Sequence, residues 1–274
     1  MDKAKWQINL IKLKHMIDLR LGDCLEVMKE IDTNSIDMVF ADLPYKMTAN
    51  KWDLLIDMDE LFKEYERIVK PNGALVFTAS QPFTSALVMQ KPKWFKAEWI
   101  WKKNAGSNFG SVKYVPMKEH ESVLIFSNGG GKTTYNPIMQ ERAESGKARV
   151  KTVVNYNTKT DNYNDTLHGE VSSKRPDLRY PSSLQYWNRE RGLHPTQKPV
   201  DLVSYFIESY TNEGETVLDN TMGSGTTAIS CIEKGRKFIG IEKDVDIYKV
   251  AKKRVGEKRK EKDNEAPTLF NEQN

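Results

Sequence analysis

The sequence predicts an α/β fold, a mostly parallel twisted sheet with helices on both faces. Three observations predict it. Short apolar runs alternate with segments of helical length at both ends of the chain. Elements stop abruptly at turn formers, a buried strand at Asp42-Leu43-Pro44-Tyr45 and a helix at Lys70-Pro71-Asn72-Gly73. A tight glycine turn, Gly223-Ser224-Gly225, joins an apolar run to a helical one.

Ile17 to Leu21 alternates as a short strand and ends at Gly22-Asp23, and Cys24 to Ile31 fits a short helix. Ile36 to Ala41 reads as a buried strand. A helix is expected from about Asp59 to Val69, then a buried strand from Ala74 to Ala79. Glu98 to Trp101 and Glu121 to Phe126 supply two more strands. Order returns at His194: Pro199 to Tyr210 fits an amphipathic helix with Pro199 in its first turn. Glu215 to Asp219 is a strand, Thr226 to Lys234 a helix, Arg236 to Glu242 a strand and Val245 to Lys258 a helix. The tail from Glu261 is polar and expected to fray.

Between these halves, from Asn128 to Arg191, the periodicity fades and turn formers dominate. A stretch of that length without clear elements reads as a functional insertion. From Ser127 to Arg191 there are eleven Lys/Arg and seven Asp/Glu, an excess that equals the +4 of the whole chain. Tyr135, Tyr156, Tyr163, Tyr180, Tyr186 and Trp187 lie among them. Basic residues interleaved with aromatics suit a surface facing phosphates and bases. An incidental solvated excess is the alternative.

Composition excludes several classes. Of 274 residues, 38% are hydrophobic and 29% charged, ordinary for a soluble globular protein. No apolar run reaches the roughly 18 residues of a membrane span, and the N-terminus lacks the apolar core of a signal peptide. Cys24 and Cys231 stand far apart and are expected as buried thiols, a disulfide being the alternative. His15, His120, His168 and His194 do not pair at ligand spacing, so no zinc site is expected.

The strongest chemical signal is the run Asp219-Asn220-Thr221-Met222-Gly223-Ser224-Gly225-Thr226 between strand and helix, with Glu242 closing the next strand. The glycines let a ligand approach the backbone, and an acid 23 positions after Asp219 can accept ribose hydroxyls. This is the nucleotide-cofactor pattern of Rossmann-like folds. Gly130-Gly131-Lys132-Thr133 only superficially resembles a phosphate loop, because the upstream glycine and a feeding strand are missing. The second signal is Asp42-Leu43-Pro44-Tyr45 after a buried strand. A carboxylate, a carbonyl aimed by the following proline and an aromatic ring suit a planar ring bearing an amine. Alone, this tetrapeptide also fits a plain strand-ending turn.

Together the two signals resemble the amino-methyltransferases of DNA, of the adenine-N6 or cytosine-N4 type, over nearly the whole chain. Gly22-Asp23-Cys24-Leu25-Glu26 and Arg67 to Phe77 look like that family's segments around the catalytic strand. Trp99 to Asn104 and Glu119 to Phe126 look like its next strands. His194-Pro195-Thr196-Gln197-Lys198-Pro199 looks like its lead into the cofactor half, and Gly240-Ile241-Glu242 with Tyr248, Ala251 and Arg254 completes the pattern. The catalytic motif precedes the cofactor motif, the order of the circularly permuted beta class. Leu43 departs from the family's first proline, and Asn220-Thr221 from its Pro-Phe.

The resemblance implies a Rossmann-like methyltransferase domain whose catalytic half is 1–127 and whose cofactor half is 192–262, split by a target-recognition insertion at 128–191 and followed by a tail at 263–274. It implies S-adenosylmethionine as methyl donor and double-stranded DNA as substrate, with the target base flipped out. Asp42 and the Leu43 carbonyl, with Pro44 shaping the turn, would accept the base amine, and Tyr45 would stack on the base. Glu242 would hold the ribose and Asp23 the adenine amine. Asp219, Gly223, Ser224, Gly225 and Thr226 would face the methionine moiety, and Thr196 and Lys198 its carboxylate. Arg175, Arg179, Arg189 and Arg191 are candidates for phosphate or guanine contacts. The resemblance admits a homodimer and a cognate restriction endonuclease, and implies a cytoplasmic protein of a prokaryotic cell or a phage. Asp42 favours adenine, since cytosine enzymes of this family commonly carry serine there. Carbon-five methylation is rejected, because neither cysteine lies in a Pro-Cys turn. A catalytically silent binding module, RNA and protein glutamine stand as alternatives.

Overall fold

The structure is a computed structural model that describes residues 16–44, 56–128, 132–150, 177–189 and 197–265. Two compact units divide the chain: Met1–Asn136 with Ser183–Asn274, and Pro137–Ser182.

The first unit opens with β1 (Ile17–Leu21), α1 (Cys24–Met28), β2 (Ile36–Ala41), α2 (Met58–Ile68), β3 (Val69–Ala79) and α3 (Phe83–Gln90). It continues with β4 (Phe95–Ser107) and β5 (Lys118–Phe126), whose hairpin carries a single 3-10 turn at Phe109–Ser111. In the second unit the described elements are β6 (Gln140–Glu141), α4 (Glu144–Val150) and β7 (Leu178–Arg179), with β6 and β7 paired antiparallel. The first unit resumes with β8 (Leu184–Tyr186), α5 (Val200–Tyr210), β9 (Thr216–Asp219), α6 (Thr226–Lys234), β10 (Lys237–Glu242) and α7 (Val245–Glu265).

Eight strands form one sheet in the order β1-β10-β9-β2-β3-β5-β4-β8. Strands β1, β10, β9, β2 and β3 are mutually parallel, and β5 runs against both β3 and β4. Side chains alternate across a strand, so each strand feeds two apolar layers. Met38, Phe40, Ala74, Val76, Val123 and Ile125 face one layer, with Leu202, Phe206, Ala228, Ile232, Ala251 and Val255 from α5, α6 and α7. Val39, Ala41, Leu75, Phe77, Leu124 and Phe126 face the other, with Met28, Leu61, Phe62, Tyr65 and Leu87 from α1, α2 and α3. Helices thus cover both faces, as the sequence predicts. Cys24 and Cys231 are buried and free. Among the described residues no helix is long and apolar enough to cross a membrane.

Three expectations need correction, and one helix was not expected. Lys70-Pro71-Asn72-Gly73 does not separate helix from strand. Pairing begins with Ile36 against Val69 and resumes with Met38 against Ala74, so the turn formers bulge out of an already paired strand. Helix α3 carries no sequence signal, because only Thr84 and Leu87 of its eight residues are buried. The stretch from Asn128 to Arg191 does contain elements, but β6, β7 and β8 are two or three residues long, too short for a period to show. Finally α7 continues to Glu265, carried past Lys258 by contacts such as Lys258 with Glu261 one turn on.

Candidate active site

The chain leaves β2 toward β3 on one side and leaves β9 toward β10 on the other. Ligands of open parallel sheets bind at the carboxyl ends of the strands where this direction reverses. Both chemical motifs end there: Asp42 follows β2 and Asp219 closes β9.

Period two explains what surrounds Asp42. Following Met38-x-Phe40, Ala74-x-Val76, Trp99-x-Trp101 and, in reverse, Ile125-x-Val123, the next positions on the same face are Asp42, Thr78, Lys103 and Glu121. The apolar rows therefore give way to polar side chains at the carboxyl edge. Thr78 Oγ1 donates to Asp42 Oδ1 at 2.5 Å. Lys198, just before α5, donates to Asp42 Oδ2 at 2.5 Å and lies 3.6 Å from Glu121 Oε2. Lys103 donates to Glu121 Oε1 and stands over the Trp101 ring at 5.0 Å. Burial pushes the Glu121 carboxyl up, but Lys198 and Lys103 outweigh it and hold Glu121 below the usual carboxylate range. The side chain of Leu43 is buried in the opposite layer, so it anchors the loop.

The cofactor side is built differently. Gly223 and Gly225 have φ of +52° and +82°, conformations that L side chains rarely adopt. A Cβ on Gly225 would also stand 3.2 Å from Val255 Cγ2, so the turn packs directly on α7. Arg254 holds that turn, donating to the Ser224 carbonyl at 3.3 Å and Thr226 Oγ1 at 3.0 Å. Glu242 accepts the Gly223 N–H at 3.0 Å and the Asp244 N–H at 2.8 Å. Asp219 accepts the Thr221 N–H at 3.1 Å and the Thr227 hydroxyl at 2.5 Å. Burial pushes the Asp219 carboxyl up to about 7, helped by the negative charges of Asp42 and Glu242. Asp23 caps α1 through the Leu25 N–H at 3.0 Å and pairs with Lys243 at 2.9 Å. Lys243 lowers its pKa more than any other neighbour.

The two departures from the motif pattern join the halves. Asn220 is buried and accepts the Tyr65 hydroxyl of α2 at 2.7 Å. Thr221 Oγ1 donates to the Asp42 carbonyl at 3.3 Å, tying the cofactor strand to the catalytic loop. One edge thus brings together Asp42, Lys198, Asp219 and Glu242, with Asp23 beside Glu242, since the Gly22 N–H donates to the Glu242 carbonyl at 2.9 Å. Tyr45, Thr196, Arg175 and Arg191 lie outside the described residues. Arg179 is in β7, and the Arg189 N–H donates to Asn104 Oδ1 at 3.1 Å. Sequence reasoning missed Thr78, Lys103 and Glu121 as neighbours of Asp42; extending the period-two rows beyond the core would have found them.

A family model described as a DNA methylase, of the N6/N4 type, matches residues 36–253. The chain belongs to the N6/N4 DNA methylase family. Members of this family are S-adenosylmethionine-dependent amino-methyltransferases of the adenine-N6 or cytosine-N4 type. The DNA adenine methyltransferase YhdJ of Escherichia coli K12 is 31% identical over 249 residues, covering 85% of this chain and 81% of that relative. The type II methyltransferase M2.MboI of Moraxella bovis is 26% identical over 242 residues, covering 86% of each chain. Among solved structures, the M1.HpyAVI–SAM complex superposes with a TM-score of 0.60 at 24% identity, covering 88% of this chain and 99% of that one. The PvuII cytosine-N4-specific DNA methyltransferase superposes with a TM-score of 0.61 at 16% identity, covering 91% and 93%. These two likenesses show that the chain shares the fold of those two structures.

The donor set fits the cofactor. S-adenosylmethionine carries three kinds of N–H or O–H donor: an ammonium, ribose hydroxyls and an adenine amine. Asp219, Glu242 and Asp23 put three carboxylates along the same sheet edge, beside a turn whose backbone is open at Gly223.

Proposed function

We propose that this methylase acts on adenine: it methylates the exocyclic amine of an adenine flipped out of double-stranded DNA, giving N6-methyladenine. The observation that carries the reading is Asp42 at the switch point, its carboxylate held by Thr78 and Lys198 and its carbonyl by Thr221. The side chain keeps 32% of its surface exposed, enough to receive an incoming group.

S-adenosylmethionine supplies an electrophilic methyl group on a sulfonium. A base amine is a weak nucleophile because its lone pair is conjugated with the ring. Asp42 and the Leu43 carbonyl accept its two N–H groups, which turns the lone pair out of the ring plane and toward the methyl carbon. When bound, the cofactor would give up its methyl carbon to that lone pair and keep the S–C electron pair on its sulfur. The extra proton on nitrogen passes to the Asp42 carboxylate and on to water. Positioning and charge stabilisation in a water-poor pocket supply most of the acceleration. Tyr45 stacks on the flipped base and offsets part of the few kcal/mol lost on unstacking.

Glu242 holds the ribose, Asp23 the adenine amine, and Asp219 with the turn 223–226 the methionine moiety; Thr196 reaches its carboxylate, while Lys198, the other candidate for that carboxylate, is drawn instead to Asp42. The segment 128–191 reads the target sequence, with Arg175, Arg179, Arg189 and Arg191 on phosphates or guanine edges. Adenine is favoured over cytosine because a carboxylate, not a hydroxyl, stands at position 42. The relative YhdJ, by its name an adenine enzyme, supports this. A homodimer, a cognate endonuclease and a cytoplasmic location fit the type II relatives and belong to the same proposal.

Incubation with plasmid DNA and methyl-labelled S-adenosylmethionine tests the reading. Label in acid-insoluble DNA is the expected result. DNA retention without label would replace it with a silent binding module. Removing the second unit, 137–182, which leaves β8 in the main sheet, should keep cofactor binding intact and abolish sequence-specific methylation; retained specificity would place recognition elsewhere.

A further inference from the structure

Both oxygens of Asp42 are engaged before any base arrives, Oδ1 by the Thr78 hydroxyl and Oδ2 by the Lys198 ammonium. A hydroxyl can rotate away. An ammonium on Asp42 is a different obstacle, because it competes for the lone pairs that the base amine needs. It also opposes the positive charge that builds on the target nitrogen during transfer. Lys198 has a second carboxylate in reach, with Glu121 Oε2 at 3.6 Å. The other oxygen of that carboxylate is held by Lys103, whose side chain is only 6% exposed. Glu121 itself is 17% exposed and sits in the β4–β5 ladder opposite Trp101.

We infer that Glu121 is a positioning residue that draws the Lys198 ammonium off Asp42 as the target amine docks. Lys198 then has two stations, Asp42 in the waiting enzyme and Glu121 during transfer. Lys103 keeps the receiving carboxylate ionised and in place. The inference rests on the reading of Asp42 as the acceptor of the amine.

Glu121→Gln keeps the shape and removes the charge. At saturating cofactor its kcat should fall by about 10–100-fold, the size of one charge-assisted contact, with the KM for DNA and the Kd for S-adenosylmethionine within about threefold of wild type on the same scale. The deciding comparison is the double variant Glu121→Gln/Lys198→Gln. With the competing ammonium gone, it should turn over faster than Glu121→Gln alone. A merely structural Glu121 gives a double variant no faster than the single one, and that result overturns the inference. So does a wild-type kcat for Glu121→Gln. If Glu121→Gln fails to fold in a thermal melt, Glu121→Asp carries the same comparison with and without Lys198→Gln. Failure of the underlying reading looks different: there, Asp42→Ala transfers methyl normally, or wild type labels no base amine. An active wild type, an inactive Asp42→Ala and a normal Glu121→Gln refute the inference alone.

Discussion

The two halves of the carboxyl edge hold their carboxylates in opposite ways. On the cofactor side, Glu242 and Asp219 are satisfied chiefly by their own neighbourhood, through the N–H groups of Gly223, Asp244 and Thr221 and the hydroxyl of Thr227. On the catalytic side, Asp42 is held by Thr78, Lys198 and Thr221, which are 36, 156 and 179 positions away. The cofactor side is a rigid local cradle. The catalytic side is a charge network assembled from distant segments, in which Lys198 has two carboxylates within reach. A cradle suits a ligand that always has the same shape, and such a network suits a base that must arrive, react and leave.

This contrast can be broken by mutation. The largest effect should come from Asp42→Ala, with kcat reduced by about 10²–10³-fold or more and cofactor Kd nearly unchanged by calorimetry. A parallel loss of cofactor binding would merge the two halves. Glu242→Ala should do the reverse, weakening S-adenosylmethionine by roughly 10–100-fold while saturating cofactor restores most of kcat. Unchanged affinity in a titration would remove Glu242 from the ribose.

Asp219 makes a pH prediction. Its carboxyl sits at about 7 in the fold against 3.8 for the free side chain. Without cofactor, the stability this group contributes is present in acid and is lost as pH rises from about 4 through about 7. The ionised form is the one that attracts a cationic ligand, so cofactor affinity should rise about tenfold between pH 6 and 8. Asp219→Asn should flatten the part of that rise due to this group; an identical slope in the variant would deny Asp219 the role. The smallest effect belongs to Lys243→Ala. Its pair with Asp23 is solvated, with side chains 68% and 41% exposed. Discounted for solvent screening, its loss should shift stability by less than about 0.5 kcal/mol in denaturant melts. A larger loss would make that pair part of the cradle.

The same contrast explains what the sequence could show. Gly223, Gly225 and Glu242 lie on one strand–turn–helix–strand unit, so spacing alone exposes them. The strands β2 and β9, and helix α6, are legible for the same reason: each is a continuous apolar or amphipathic run. Glu121, Lys103 and Thr78 sit in ordinary strand sequence and acquire meaning only when β3, β5 and β4 lie side by side. Lys198 was legible as a member of a motif, but its contact with Asp42 depends on where α5 begins above the sheet. Helix α3 and the bulge in β3 escaped because exposure and pairing, rather than propensity, define them.

Nucleoside mass spectrometry of plasmid DNA methylated by the purified protein tests the reading of Asp42 most directly. N6-methyladenine as the methylated nucleoside is the predicted result. N4-methylcytosine in its place, or no methylated nucleoside, would contradict it.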